Sequence, residues 1–234
     1  MACHVVIPAA GIGQRMGEAK PKQYLSILGC TLLEHSLRPL LASLALDKIV
    51  VVLQPDDPYV DALPLLRDER VLRAPGGSER SDSVLNGLAL LQDMASEDDW
   101  VLVHDAARPC VKPQDLDRLL SAVLDSGVGG LLAEPVRDTV KCADQQAQVT
   151  GTLDRNGLWR AQTPQMFRLG QLAQALNKAR QDCCAVTDEA MAMEQAGYPV
   201  QLVEGSPTNI KVTVPDDLAL AQFYLSRSYE EQTG

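Results

Sequence analysis

The chain has 234 residues, with 21 Lys and Arg against 31 Asp and Glu and a formal net charge of −10. That length suits one α/β domain with a full core, and so acidic a chain is a poor partner for nucleic acid, whose binding rests on clustered cations. The six cysteines, Cys3, Cys30, Cys110, Cys142, Cys183 and Cys184, form no C-x-x-C pair and read as reduced thiols; with no leader-like start and no apolar run of about 18 residues, a cytoplasmic protein without a membrane partner is expected.

An apolar strand over 5–7 runs into Pro8-Ala9-Ala10-Gly11-Ile12-Gly13-Gln14-Arg15-Met16-Gly17, which closes on Lys20-Pro21-Lys22-Gln23-Tyr24. Small side chains let backbone N–H groups approach an anion, and Arg15 and Lys22 can neutralise charge on a phosphate. A nucleoside triphosphate is the natural guest. The spacing is not a P-loop, because no Lys-Ser or Lys-Thr follows the glycines, and Gly11, Gly13 and Gly17 miss the Gly-x-Gly-x-x-Gly dinucleotide spacing.

Residues 31–46 read as a helix opened by a Thr31 and Glu34 capping box, with Leu32, Leu33, Leu37, Leu40, Leu41 and Leu44 on its apolar stripe. Strands follow over 48–53 and 70–73. The segment Ala74-Pro75-Gly76-Gly77-Ser78-Glu79-Arg80-Ser81-Asp82-Ser83-Val84 leads into a helix over 82–94, with Ser81 or Asp82 as its cap and room beside the glycines for a flat group such as a base. A strand over 100–104 ends in His104-Asp105-Ala106-Ala107-Arg108-Pro109. An Asp at the carboxyl end of a buried strand lies in the crevice where open α/β sheets bind ligands. It can hold a ribose hydroxyl or help position Mg²⁺, and Arg108 is either its ion-pair partner or faces a phosphate. Only His4, His35 and His104 are present, and with no cluster they read as structural, with no metal site of their own.

A helix over 114–125 and a strand over 130–133 continue the alternation, as do helices over 169–180, 188–195 and 215–224. Val-rich strands between amphipathic helices mean a doubly wound sheet buried on both faces. One stretch breaks the rhythm. Residues 136–142 and 149–159 form two polar-alternating strands around a polar turn, a hairpin with too little apolar surface to pack on its own core. It is expected to dock on another subunit, the alternative being a solvent-facing excursion. The chain therefore divides into one domain, 1–134 and 158–228, an inserted arm over 135–157, and a flexible tail over 229–234. Near the end, Lys211 sits in Asn209-Ile210-Lys211, either a solvated strand residue or a ligand cation, and Thr187 either caps the helix of Thr187-Asp188-Glu189 or binds ligand.

Taken together, Pro8-Ala9-Ala10-Gly11 with Arg15, Pro21-Lys22-Gln23-Tyr24, Gly76-Gly77 with Arg80 and Ser83, the Asp105 segment, Asp154-Arg155-Asn156-Gly157-Leu158-Trp159, Gln162-Thr163-Pro164-Gln165, Thr187-Asp188-Glu189 and Asn209-Ile210-Lys211 resemble the 2-C-methyl-D-erythritol 4-phosphate cytidylyltransferases of non-mevalonate isoprenoid biosynthesis. The resemblance runs from about residue 5 to 224. It implies a mostly parallel, Rossmann-like sheet of nucleotidyltransferase type with a protruding β-hairpin arm used in dimerisation. It also implies cytidylyl transfer from CTP to methylerythritol phosphate, with release of pyrophosphate. Arg15 and Lys22 would stabilise the transition state, with Mg²⁺ bound mainly through the CTP phosphates. Arg155 and Lys211 would hold the incoming phosphate, and Thr139 and Asp105 would place the sugar alcohol and nucleotide. Ala9, Ala10 and Gly11, with Gly77 and Ser83, would receive the cytidine. Arg80, Ala106, Arg108 and Thr187 complete the implied substrate-binding set. The arm would carry Arg155 and Thr139 to the partner's site in a homodimer. Two rivals are a ribitol 5-phosphate cytidylyltransferase and a noncatalytic nucleotide-binding regulator; the latter has no need of Arg15, Lys22, Asp105, Arg155 and Lys211 together.

Overall fold

The computed structural model describes residues 1–11 and 20–233, apart from the side chains of 229–233. In chain order the elements are β1 (Cys3–Pro8), β2 (Ser26–Ile27), β3 (Cys30–Thr31), α1 (Leu32–Ala42), β4 (Ile49–Leu53), β5 (Val71–Pro75) and α2 (Arg80–Gln92). They continue with β6 (Trp100–Val103), α3 (Pro113–Ser126), β7 (Gly130–Pro135), β8 (Val140–Ala143) and β9 (Val149–Leu153). The chain finishes with β10 (Trp159–Arg168), α4 (Leu169–Gln181), α5 (Glu189–Gln195), β11 (Gln201–Glu204) and α6 (Pro215–Thr233).

Seven strands form one sheet in the order β11-β7-β10-β6-β1-β4-β5. Every pairing in it is parallel except those of β10, which runs antiparallel to both β6 and β7. Successive side chains of a strand face opposite sides, and here both sides are covered. Val5 and Ile7, Ile49 and Val51, Trp100 and Leu102 pack with α1 and α3, while Val6, Val50, Val52, Val101 and Val103 pack with α2, α4 and α5. That two-sided burial is why these strands read as continuous apolar runs. A smaller cluster of Ile27, Leu32, Cys110, Val212, Ala221 and Leu225 fastens α6 beside the β2–β3 hairpin.

The Thr31 and Glu34 capping box at α1 is present as expected from sequence. The helix, however, ends at Ala42, so Leu44 falls beyond it and is 98% exposed. Helix α2 is capped by neither Ser81 nor Asp82: Glu79 is the N-cap, and Asp82, at the third helical position, reaches back to the Glu79 N–H. β2, β3 and β11 have no counterpart among the strands expected from sequence. Nor does β10, whose first residue, Trp159, pairs with Pro135 of β7 rather than continuing the hairpin. The hairpin itself is the separate two-stranded sheet β8–β9, mostly exposed along both strands. Helix α6 continues to Thr233, beyond the expected end at residue 224.

Candidate active site

At the carboxyl ends of β1, β4, β5 and β6 lies a cleft of about 580 Å³, where a parallel sheet of this kind accepts ligands. Its wall contains Ala9, Ala10, Gly11, Lys22, Gly77, Arg80, Ser83, Asp105, Ala106 and Lys211, all singled out from sequence. They arrive on several separate segments. Residues 9–11 follow β1, Lys22 opens the turn Lys22–Tyr24, Gly77 lies between β5 and α2, Arg80 and Ser83 lie in the first turn of α2, Asp105 and Ala106 lie just beyond β6, and Lys211 lies between β11 and α6.

Asp105 is the electrostatic hub. Its carboxylate accepts from Arg80 Nε at 3.0 Å, pairs with Lys211 Nζ at 2.7 Å and has Arg108 Nε at 3.9 Å. Burial works to raise the Asp105 carboxyl, but the charges of Arg80, Lys211 and Arg108 outweigh it and hold it well below the usual carboxylate range. Arg80 in turn grips Glu189 at 2.6 and 3.1 Å, a two-pronged pair to a carboxylate that is 1% exposed. Burial works against the Arg80 charge, and Glu189 with Asp105 more than compensate, pushing its pKa further up. Lys22 Nζ donates to the Val212 carbonyl at 3.4 Å, which sets it beside the residue that follows Lys211.

The backbone beneath Asp105 is tied to β10. Register slips between Ala161 and Gln165, and within this bulge Thr163 meets the Asp105 backbone. Thr163 Oγ1 accepts from the Asp105 N–H at 3.0 Å and lies 3.0 Å from His104 Nδ1, while His104 Nε2 is 3.2 Å from the Arg108 carbonyl. A carbonyl only accepts, so Nε2 carries the proton and Nδ1 accepts from the Thr163 hydroxyl. Burial keeps this imidazole neutral, its pKa lowered to about 4. His104 is thus structural, as its sequence context indicates.

The glycine turn between β5 and α2 is tight. A Cβ on Gly76 would lie 2.3 Å from that of Ala10, and one on Gly77 would lie 2.2 Å from that of Asp82, so neither position accepts a side chain without movement. Ser83 Oγ accepts from the Gly77 N–H and donates to the Glu79 carbonyl, both at 3.1 Å, and fixes this turn.

Other expected site residues lie elsewhere. Arg108 stands behind Asp105 and donates to the Asn209 and Ala161 carbonyls. Thr139 and Arg155 are exposed at the root of the β8–β9 arm, where Arg155 donates to the Arg137 carbonyl. Neither lines the cleft of its own chain. Thr187 is exposed and is not the cap of α5; Asp188 is, accepting from the Met191 N–H at 3.0 Å. Arg15 lies outside the described residues. Sequence reading missed Glu189 as the Arg80 partner, because an acid in a first helical turn is already favoured by the helix dipole. It also missed Gln165, whose amide donates to Asp188 and accepts the Ala190 N–H, setting the end of α5 that carries Glu189.

A family profile described as IspD, 2-C-methyl-D-erythritol 4-phosphate cytidylyltransferase, matches residues 3–227. The chain belongs to the IspD family. It is 49% identical to the 2-C-methyl-D-erythritol 4-phosphate cytidylyltransferase of Vibrio vulnificus (strain YJ016), over 97% of this chain and 96% of that protein. It is 56% identical to the protein of the same name from Pseudomonas entomophila (strain L48), over 91% of each. The crystal structure of the Francisella tularensis enzyme superposes with a TM-score of 0.82 at 38% identity, covering 96% of this chain and 100% of the other. As an IspD cytidylyltransferase of isoprenoid biosynthesis, the chain is a nucleotidyltransferase, and its similarity favours that reading over ribitol phosphate transfer or a noncatalytic regulator. Among the described residues no helix is long and apolar enough to cross a membrane.

Proposed function

We propose that this cleft binds CTP and 2-C-methyl-D-erythritol 4-phosphate and joins them into 4-diphosphocytidyl-2-C-methyl-D-erythritol. An oxygen of the 4-phosphate attacks the α-phosphorus of CTP. As that bond forms, the bond from the α-phosphorus to the bridging oxygen of the β-phosphate breaks, and pyrophosphate leaves with the electron pair. A phosphate monoester is already an anionic nucleophile at neutral pH, so the step needs no dedicated base. Its barrier is mutual repulsion and misalignment, and fixed cations address both. The observation that carries this reading is the convergence of Lys22, Arg80 and Lys211 on one cleft wall in a chain of net charge −10.

Lys22, with Arg15, stabilises charge at the α-phosphorus, and Lys211, with Arg155, holds the incoming phosphate. Ala9, Ala10, Gly11, Gly77 and Ser83 receive the cytidine. Asp105 keeps Arg80 and Lys211 aimed at the ligands, with Ala106 beside it and Arg108 behind. Among the described residues no three His, Cys, Asp or Glu gather as a metal cage, and Asp105 already faces three cations. These residues would suit Mg²⁺ held mainly through triphosphate oxygens and water, with Asp105 and Glu79 the carboxylates in the cleft lining. When bound there, Mg²⁺ supplies charge neutralisation along the triphosphate.

The arm carries Thr139 and Arg155 away from their own cleft, and Val149, Leu153 and Trp159 along it and at its base are 64%, 47% and 37% exposed. Both features support a homodimer in which each arm completes the partner's site, Arg155 holding the incoming phosphate. The six free cysteines support a cytoplasmic location. The deciding assay is pyrophosphate release from CTP with methylerythritol phosphate, against ribitol 5-phosphate as acceptor. Equal turnover of both, or none of the first, overturns the assignment.

A further inference from the structure

Two glutamine side chains grip consecutive carbonyls of the loop that leaves β1. Gln23 Nε2 donates to the Ala9 carbonyl at 2.7 Å, and Gln54 Nε2 donates to the Ala10 carbonyl at 2.5 Å. Gln23 is 3% exposed and sits next to Lys22 in the turn Lys22–Tyr24, while Gln54 follows β4 and is exposed on the cleft wall. They reach the loop from different elements, so the two contacts are not one local turn.

A trans peptide holds its C=O and N–H in opposite directions. Fixing the Ala9 carbonyl therefore fixes the Ala10 N–H, and fixing the Ala10 carbonyl fixes the Gly11 N–H. The Ala9 N–H is committed to the sheet through the Val52 carbonyl at 2.8 Å, whereas among the described residues no acceptor meets the N–H of Ala10 or Gly11. Both residues line the cleft. Backbone donors left without protein partners beside a ligand site are the means by which a protein grips oxygen atoms of an anionic or polar ligand.

We infer that Gln23 and Gln54 are positioning residues that lock two backbone donors, the N–H groups of Ala10 and Gly11, in the orientation that receives the nucleotide. This rests on the proposal that the cleft binds CTP. The clamp also couples the two halves of the site, because the turn that carries Gln23 carries Lys22. Its expected signature is selective: binding of the nucleoside triphosphate weakens while the polyol phosphate is unaffected.

The test is steady-state kinetics of Gln54→Met, which keeps the side-chain length and removes the donor on an exposed residue. The KM for CTP should rise about five- to tenfold, the usual worth of one neutral hydrogen bond, with kcat at saturating CTP and the KM for methylerythritol phosphate within about twofold of wild type, as for loss of an interaction made equally in ground and transition states. Gln23→Met should act in the same direction, and circular dichroism shows whether that buried change leaves the fold intact. If it does not, Gln54→Met decides alone. An unchanged KM for CTP in folded Gln54→Met, or an equal rise in both KM values, overturns the clamp while leaving the cytidylyltransferase standing. A wild-type enzyme that releases no pyrophosphate from CTP overturns both.

Discussion

Replacing His104 by glutamine should remove much of the acid sensitivity of folding. The imidazole is fully buried, and burial lowers its pKa from the usual 6.5 to about 4. Between those values the unfolded chain binds a proton that the folded chain refuses, so stability rises with pH across the window and is lost as pH falls through it. A gap of about 2.5 pH units at about 1.4 kcal/mol each is roughly 3.5 kcal/mol in total, of which about 2 kcal/mol disappears between pH 7 and pH 5. Asp105 does not blur the result, since its folded pKa is depressed and its contribution is lost only below the ordinary carboxylate range. His35, also lowered by burial, contributes with the same sign in both proteins. In the His104→Gln variant the new amide could still donate to the Arg108 carbonyl but cannot gain a charge. Urea unfolding at pH 5, 6 and 7 should therefore show a slope in wild type that exceeds the variant's by about 2 kcal/mol over the range. Parallel slopes would refute the buried neutral tautomer and the Asp105–Thr163–His104 chain drawn from it.

Lys22→Ala should abolish pyrophosphate release with an unaltered circular dichroism spectrum; retained turnover would contradict the role given to that cation. Glu189→Ala leaves Arg80 with Asp105 alone, and thermal or urea unfolding should show a loss of about 2 kcal/mol. That is less than the ~3–5 kcal/mol of a fully enclosed pair, because the Arg80 side chain is 31% exposed and water screens it. The arm can be tested by mixing Lys22→Ala with Arg155→Ala, each inactive alone. In a two-fold dimer that exchanges subunits freely, half the dimers are mixed and each has one intact site, so about a quarter of wild-type activity should return. A mixture that stays inactive would show that Arg155 serves its own subunit.

The strands that carry the site were legible because each is buried on both faces: Ile49–Leu53 and Trp100–Val103 have no exposed position, and no solvated residue interrupts the apolar run. Thr31 and Glu34 were legible because a capping box is a local device. β10 was not. Its Gln162-Thr163-Pro164-Gln165 stretch has the composition of a loop, and only tertiary contacts, a bulge between two strands far away in sequence, make it sheet. The same division holds within the cleft. Lys22 and Asp105 stand in compact motifs, so their chemistry showed in the chain, whereas Glu189 and Gln165 act through partners 109 and 25 residues away and look like helix and loop residues until the fold closes.

This division follows from how a cationic site survives in an acidic protein. Of the charges gathered here, Arg80, Arg108 and Lys211 meet Asp105 and Glu189, leaving that ion-paired cluster with one positive charge in excess. Bare cations packed this closely would repel one another and lose solvation; each carboxylate offsets that cost while its geometry fixes where the guanidinium and ammonium groups point. The excess is then available to a more highly charged guest. On the proposed function, a phosphate group entering the cleft competes with Asp105 for Lys211 and leaves Arg80 held by Glu189, so the buried acid that sequence reading passed over keeps the cluster ordered while its neighbour exchanges partners.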